Sequence, residues 1–266
     1  MTGLEDRPQR AGLARALSKL GYCSRSRAFE LIRARRVAVN GRIRSDPEAP
    51  VQLQGDSIEV DGRRIFSQTK LYLVMNKPRG VITTAADEKG RKTVYALLGD
   101  KTPWVAPVGR LDKASEGLLL LTNDSQWGAR VAAPETHLDK TYHVQIARVA
   151  DAALMKKISK GVSTAGGDRL QAKAARILRG GEKNTWLEIV LDEGKNRHIR
   201  RMLAALGIAV LRLVRVSIGP LTLDDLPKGA SRQLSKGEKE SIDAAMHQTR
   251  GRLTHRYLAS RGNPVL

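Results

Sequence analysis

One carboxylate in this chain stands in a setting suited to chemistry. Asp112 lies in Gly109-Arg110-Leu111-Asp112-Lys113-Ala114-Ser115-Glu116-Gly117, between two glycines and beside Arg110 and Lys113. The glycines permit tight turns. The run Leu118 to Leu121 that follows reads as a strand buried on both faces. The pattern displays an acid on an anchored loop, in positive surroundings that suit it as an anion. A metal-free hydrolase could use such a group, but no partner general acid accompanies it. Loop aspartates are common. On spacing alone, an Asp112 that caps a short turn, with Lys113 and Glu116 solvated, fits equally well.

A second cluster is Glu193-Gly194-Lys195-Asn196-Arg197-His198-Ile199-Arg200-Arg201-Met202-Leu203. Ile199, Met202, Leu203 and Leu206 share a helical face, and Gly207 ends the helix. Lys195, Arg197, Arg200 and Arg201 load its start with cations, which oppose the helix dipole. Something anionic must compensate: a carboxylate, phosphates, or both. That brings Asp112 or a polyanion near this segment. His198 reads as a surface or hydrogen-bonded histidine. The five histidines are scattered, without Cys or acidic partners at ligand spacing, so no metal site is expected. No phosphate-cradling glycine loop and no zinc-protease His pair occurs. Nothing implies ATP, a nicotinamide or a prosthetic group, and the expected cofactor is none.

The elements that must position these residues follow from periodicity. Leu13, Leu17 and Leu20 fall at helical spacing and Gly21 stops that helix. Ser24 or Ser26 caps a second helix with Ala28, Leu31 and Ile32 on one face, Arg27 and Arg33 opposite, and Arg25, Arg35 and Arg36 at its ends. Val37-Ala38-Val39 and Ser57-Ile58-Glu59-Val60 read as strands, each followed by a hairpin-type turn, Asn40-Gly41 and Asp61-Gly62. Between Arg10 and Arg44 there are ten Lys and Arg against one acid, Glu30. Such a run is ordinarily a solvated face, but here it lies on a small unit with its own core.

Residues 66–70 read as a polar linker. Leu71 to Met75 is a strand, ended by the turn Asn76-Lys77-Pro78-Arg79-Gly80, which Lys77 and Arg79 decorate. Lys89, Arg91 and Lys92 sit in a loop that fits an RNA contact or ordinary surface charge. Trp127 to Val131 is a short helix. Tyr142, Val144 and Ile146 alternate as a half-buried strand. Residues 150–160 form an amphipathic helix stopped at Gly161. Strands follow near Ala174 to Leu178 and at Trp186 to Leu191. Leu211 to Ile218 alternates as a strand with one basic face. Beyond residue 236 a short helix gives way to a basic tail with Arg250, Arg252, Arg256 and Arg261.

With 266 residues, 41% of them hydrophobic, the chain is globular, holding one large domain or two unequal ones. A net charge of +20 calls for a polyanionic partner, nucleic acid before membrane. Aromatics at 4% argue against recognition by stacked rings, so phosphate and shape contacts should dominate and affinity should fall steeply with salt. The single cysteine, Cys23, allows no disulfide framework. No stretch reaches the ~20 apolar residues of a membrane span, and Met1 to Arg10 lacks an apolar signal core. The expected setting is a reducing cytoplasm, away from membranes.

Gly-Arg-Leu-Asp, four residues, then Gly-Leu-Leu-Leu-Leu-Thr-Asn-Asp is similar to the central motif of bacterial ribosomal RNA pseudouridine synthases of the RsuA/RluB/RluF type. Asn76-Lys77-Pro78-Arg79-Gly80 and Gly194-Lys195-Asn196-Arg197-His198-Ile199-Arg200-Arg201-Met202 match further family motifs, with His198 in place of the usual Gln. Ser125 stands where the family usually has a glycine. Ser24 to Ala28, Leu31-Ile32 and Arg36 to Gly41 resemble an S4 RNA-binding domain. The resemblance spans about residues 10 to 235. It implies an α+β protein: an S4 module at 10–66, a catalytic domain at 71–245 with a mostly antiparallel mixed sheet flanked by helices, and a basic tail at 246–266. It implies Asp112 as the essential catalytic residue, Tyr142 as the ring on the target base, and Arg200 as the partner of Asp112. RNA contacts are expected from Arg25, Arg27, Arg33 and Arg36 of the S4 module and from Lys77, Arg110, Lys195 and Arg197. The implied reaction is the cofactor-free isomerisation of a flipped-out uridine to pseudouridine in ribosomal RNA, by a monomer. The rival reading is a noncatalytic S4-domain RNA-binding or ribosome-assembly protein.

Overall fold

A computed structural model describes residues 10–85, 89–99 and 102–259, with side chains to 247. The chain divides into two compact units. One comprises Met1–Tyr72, Asp100–Ala106 and Leu121–Trp127, the other Leu73–Gly99, Pro107–Leu120 and Gly128–Leu266.

In the first unit, helices Leu13–Lys19 and Arg25–Arg33 lie with an antiparallel sheet of order Arg42–Arg44, Val37–Val39, Ile58–Val60, Arg63–Arg64. Ser24 caps the second helix, its hydroxyl accepting from the Arg27 N–H at 3.1 Å. Both hairpin turns have the expected conformation, with positive φ at Asn40, Gly41, Asp61 and Gly62. Leu13, Leu17, Ala28, Ile32 and Val37 are wholly buried and make the unit's own core. Each large apolar side chain so buried contributes roughly 1.5–3 kcal/mol. Burial pushes the Cys23 thiol up to about 11, so it packs as an apolar group.

The polar stretch before Leu71 is held by the end of the central motif. Asn123 accepts from the Leu71 N–H at 2.8 Å and donates to the Thr69 carbonyl at 2.9 Å, and Thr122 donates to the Leu71 carbonyl at 2.7 Å. Asp124 accepts from the Tyr72 hydroxyl and caps helix Ser125–Ala132 through the Trp127 N–H. Ser125, in place of a glycine, is the first residue of that helix.

The second unit is built on a mixed sheet. Its strand order is Ala174–Gly180, Thr185–Leu191, Lys140–Ile146, Val210–Ile218, Glu116–Thr122, Tyr72–Lys77, Ser231–Gln233. The first four pair antiparallel, and Glu116–Thr122 runs parallel to Val210–Ile218. Helices Ala152–Lys160 and His198–Ala204 carry Leu154, Ile158, Ile199, Met202 and Leu203 into a core with Val144, Ile146, Leu187 and Ile189. Every residue of Glu116–Thr122 is buried, as a double-sided apolar run requires.

Gly117 fixes where this strand begins. Its φ is +102°, and an added Cβ would lie 2.2 Å from the Arg215 carbonyl oxygen on the parallel neighbour. Only a residue without a side chain lets the two backbones approach this closely. Gly117→Ala is expected to cost about 2 kcal/mol or more and to lower the melting temperature by roughly 4–8 °C. An unchanged thermal melt would contradict this.

Two expectations need correction. The C-terminal helix is not short: it runs Lys236–Ala259. Ile242 and Met246 are buried one turn apart on it, and polar contacts that apolar periodicity does not reveal fix its start. Ser235 and Glu238 cap each other's backbone N–H groups, and Lys239 reaches Asp243 one turn on. The side chains of Arg250, Arg252, Arg256 and Arg261, like the lead 1–9, fall outside the described residues. Nor does Val210–Ile218 carry one basic face. Arg212 and Arg215 are three apart, an odd spacing that sends them to opposite sides. Arg212 reaches Glu116, whereas Arg215 is buried.

Candidate active site

The Asp112 loop is held almost entirely through its backbone. The Lys77 ammonium donates to the carbonyls of Ser115 at 2.8 Å, Asp112 at 3.1 Å and Pro78 at 3.2 Å. Thr83 donates to the Leu111 carbonyl at 2.8 Å, the Gly80 N–H to the Lys113 carbonyl at 2.8 Å, and the Ser115 N–H to the Asp112 carbonyl at 2.9 Å. The Asp112 carboxylate takes no part in this scaffold and is one-third exposed. It is thus presented to a cleft of about 630 Å³ lined by the loop, by Tyr142, and by the segment from Glu193 to Arg200.

Lys77 was expected at the surface as an RNA contact, and the structure corrects this. Its side chain is fully buried, and its three N–H donors are spent on loop carbonyls. No phosphate can reach it. Burial pulls its ammonium down to about 8, against the opposing pull of Asp112 and Glu116.

The cations crowded at the start of helix His198–Ala204 find the anions that the dipole argument demanded. Lys195 meets Glu193 at 3.1 Å, Arg197 Nη1 lies 3.7 Å from Asp112 Oδ2, and Arg201 pairs with Asp168. Among the described residues the guanidinium within 4 Å of Asp112 is therefore that of Arg197, not Arg200. Arg197 stands just before the helix with a left-handed backbone, φ 47°, which turns its side chain to the loop. Arg200 donates instead to the Ala114 carbonyl at 3.0 Å, and its Nε is buried without a partner. Burial lowers the Arg200 pKa, the neighbouring Arg197 adds to the shift, and Asp112 opposes it. Arg200 thus holds the loop that carries Asp112 and faces its charge without an ion pair.

Asp112, Tyr142, Arg200, Arg110, Lys195 and Arg197 all line this one cleft. Arg25, Arg27, Arg33 and Arg36 are exposed on the first unit. There Arg36 grips Asp61 through two bonds of 2.5 and 2.7 Å, and Arg27 meets Glu30 at 2.7 Å. Among the described residues Arg25 and Arg33 have no carboxylate within 4 Å. His198 is buried and hydrogen-bonded, its Nε2 donating to the Gln171 carbonyl at 3.0 Å.

Sequence reasoning missed Lys140 and Arg215 as cleft residues. Lys140 lies two before Tyr142 on its strand and so on the same face, a signal available from alternation. Arg215 was hidden by the assumption of one basic face. Five buried side-chain polar atoms lack a partner among the described residues, and four of them belong to residues lining this cleft: Ser115 Oγ, His198 Nδ1, Arg200 Nε and Arg215 Nη2. Buried polar groups are normally satisfied. Their concentration sets this cleft apart from the rest of the described residues. No group of three or more His, Cys, Asp or Glu among the described residues is placed to hold a metal ion.

A loop-borne carboxylate in a cationic, aromatic-lined cleft on a mixed sheet, in a strongly basic chain with a small basic module, defines an enzyme that works on RNA. Comparison with known proteins gives the class. Residues 71–205 match the RNA pseudouridylate synthase family, residues 12–58 match the S4 domain, and the chain belongs to that synthase family. It is 35% identical over 234 residues to the ribosomal large subunit pseudouridine synthase B of Bacillus subtilis, covering 87% of this chain and 95% of that one. It is 38% identical over 231 residues to an uncharacterized RNA pseudouridine synthase of Aquifex aeolicus, covering 86% and 92%. A crystal structure of a pseudouridylate synthase matches with a TM-score of 0.62 at 29% identity, over 87% of this chain and 99% of that one. No described helix is long and apolar enough to cross a membrane.

Proposed function

We propose that the chain converts a uridine of ribosomal RNA to pseudouridine, with Asp112 as the catalytic carboxylate. The observation that carries the reading is the convergence of Asp112, Tyr142 and Arg200 on one cleft lined by buried polar atoms without partners. Substrate and product are isomers, so no cofactor is required. The C1′–N1 bond breaks with its electron pair on the base, and a carboxylate oxygen of Asp112 takes up C1′. The freed uracil turns on the Tyr142 ring, and C5 bonds to C1′ as the carboxylate leaves. The C5 proton passes to solvent and N1 gains one.

Such chemistry needs the nucleotide out of its stack, at a cost of a few kcal/mol. Arg110, Lys195 and Arg197 at the cleft would hold the flanking phosphates and offset it. Residues 10–66, with exposed Arg25 and Arg33, grip structured RNA, residues 71–245 carry out the reaction, and the protein works as a cytoplasmic monomer.

The test uses ribosomal RNA transcripts labelled with tritium at uridine C5. Forming the C5–C1′ bond must release that label to water. The purified protein is expected to release label equivalent to one uridine or a small set per transcript. Tight binding without release would favour the noncatalytic RNA-binding reading.

A further inference from the structure

Arg215 is a buried cation that the assignments above leave unused. It is 5% exposed, and its Nε donates to the Leu118 carbonyl at 2.8 Å. Nη2 is buried with no partner, and no carboxylate lies within 4 Å of the guanidinium among the described residues. A second cation stands beside it. Lys140 lines the same cleft, has no carboxylate within 4 Å among the described residues, and feels Arg215 strongly enough that the repulsion, after burial, lowers its pKa. Its neighbour Asp139 is already bound to Lys173. Two like charges in one half-dry cleft are costly without an anion between them. Their position says which anion: Arg215 pairs in register with Tyr142 on the adjacent strand, and Lys140 precedes Tyr142 by two on the same face. A phosphate, tethered to the RNA backbone at the mouth, does not reach a side chain this buried. The part of the RNA that enters past the mouth is the flipped-out base, and its ring partner Tyr142 is the register neighbour of Arg215.

We infer that Arg215, seconded by Lys140, binds the carbonyl edge of the target uracil and stabilises the negative charge that base acquires as its bond to C1′ breaks. The inference rests on the synthase reading. The electron pair released by the C1′–N1 bond spreads over the uracil carbonyl oxygens. A guanidinium held in place by Leu118 meets it without reorganising, which is where a fixed cation gains most. Ser115 Oγ, buried and unpartnered in the same cleft, is a further donor within the same wall.

The test compares wild type, Arg215→Met, Arg215→Lys and Asp112→Asn under single turnover, following consumption of the target nucleoside by digestion and chromatography. RNA affinity and thermal melts are measured alongside. Two RNAs are used, one with uridine and one with 5-fluorouridine at the target. Fluorine makes the departing base a better carrier of negative charge, so it needs the cation less. Arg215→Met is expected to slow uridine consumption about 100-fold, with RNA affinity within about threefold. Arg215→Lys should recover at least about tenfold of that rate. On 5-fluorouridine the deficit of Arg215→Met should shrink about fivefold or more. Equal deficits on both bases would reduce Arg215 to a strand tie through Leu118 and overturn the inference, as would a Met variant at the wild-type rate. If Arg215→Met does not fold, Lys140→Met is read the same way: a smaller deficit that shrinks on 5-fluorouridine supports the inference, and no deficit or equal deficits overturn it. A wild type that consumes neither nucleoside means the synthase reading has failed. A working wild type with dead Asp112→Asn and fast Arg215→Met means that only this inference has.

Discussion

Asp112→Asn should bind ribosomal RNA as well as the parent protein and release essentially no tritium from C5. The Asp112 side chain plays no part in holding its own loop. The loop around Asp112 is held by Lys77, Thr83 and backbone N–H groups, all acting on carbonyls or amides. Among the described residues the carboxylate has one ion-pair partner within 4 Å, Arg197 at 3.7 Å, and is one-third exposed. An isosteric amide therefore leaves the scaffold intact, and the stability change should stay within about 1 kcal/mol. Removing one negative charge from a cationic cleft weakens no phosphate contact, so RNA affinity should hold or rise slightly, with an unchanged salt slope. The amide cannot take up C1′ as a carboxylate does. The expected loss in single-turnover rate is at least about 10⁴-fold. A variant that keeps more than a few per cent of wild-type turnover would remove Asp112 from the chemistry.

How much of this was legible in the sequence depends on whether a residue acts through local pattern or across the fold. The double-sided apolar run Leu118 to Leu121 announced a central strand, and the turns at Asn40-Gly41 and Asp61-Gly62 announced hairpins, because strands and turns obey local rules. The helix start at Lys195 to Arg201 was readable as a place needing anions, since dipole and charge are both local. Which anion each cation takes was not. Arg197 rather than Arg200 reaches Asp112 because a left-handed turn at Arg197 redirects it, and sequence carries no signal for positive φ at an arginine. Lys77 was misread for a related reason. A lysine in a Pro-Gly turn is ordinarily solvated, and only the return of residues 111–115 over it, some 35 residues later, turns it into a buried strut. Arg215 was misjudged through alternation itself: residues three apart on a strand cannot share a face.

Lys77→Met should disable the enzyme while removing neither its carboxylate nor its RNA contacts. Methionine keeps the length and apolar bulk of the lysine, so the cavity stays filled. Three carbonyls, those of Pro78, Asp112 and Ser115, lose their donor inside the protein. Each buried acceptor left unsatisfied costs about 1–3 kcal/mol, offset in part because an ammonium no longer has to be desolvated. A net loss of roughly 2–4 kcal/mol is expected, seen in denaturant melts as a lower midpoint. The loop then relaxes toward water, and displacement of Asp112 by about 1 Å lowers turnover on the order of 100-fold. RNA affinity should change little, since Lys77 meets no solvent. The pH dependence gives an independent check. Burial lowers the Lys77 pKa from 10.5 to about 8, so between those values the unfolded chain holds a proton that the native protein has released. Stability contributed by this group therefore rises with pH through that window and is level below it. The gap between wild type and Lys77→Met should widen from about pH 8 upward. A gap that stays constant from pH 7 to 10, or a Met variant with full turnover, would mean that the amine does not brace the loop.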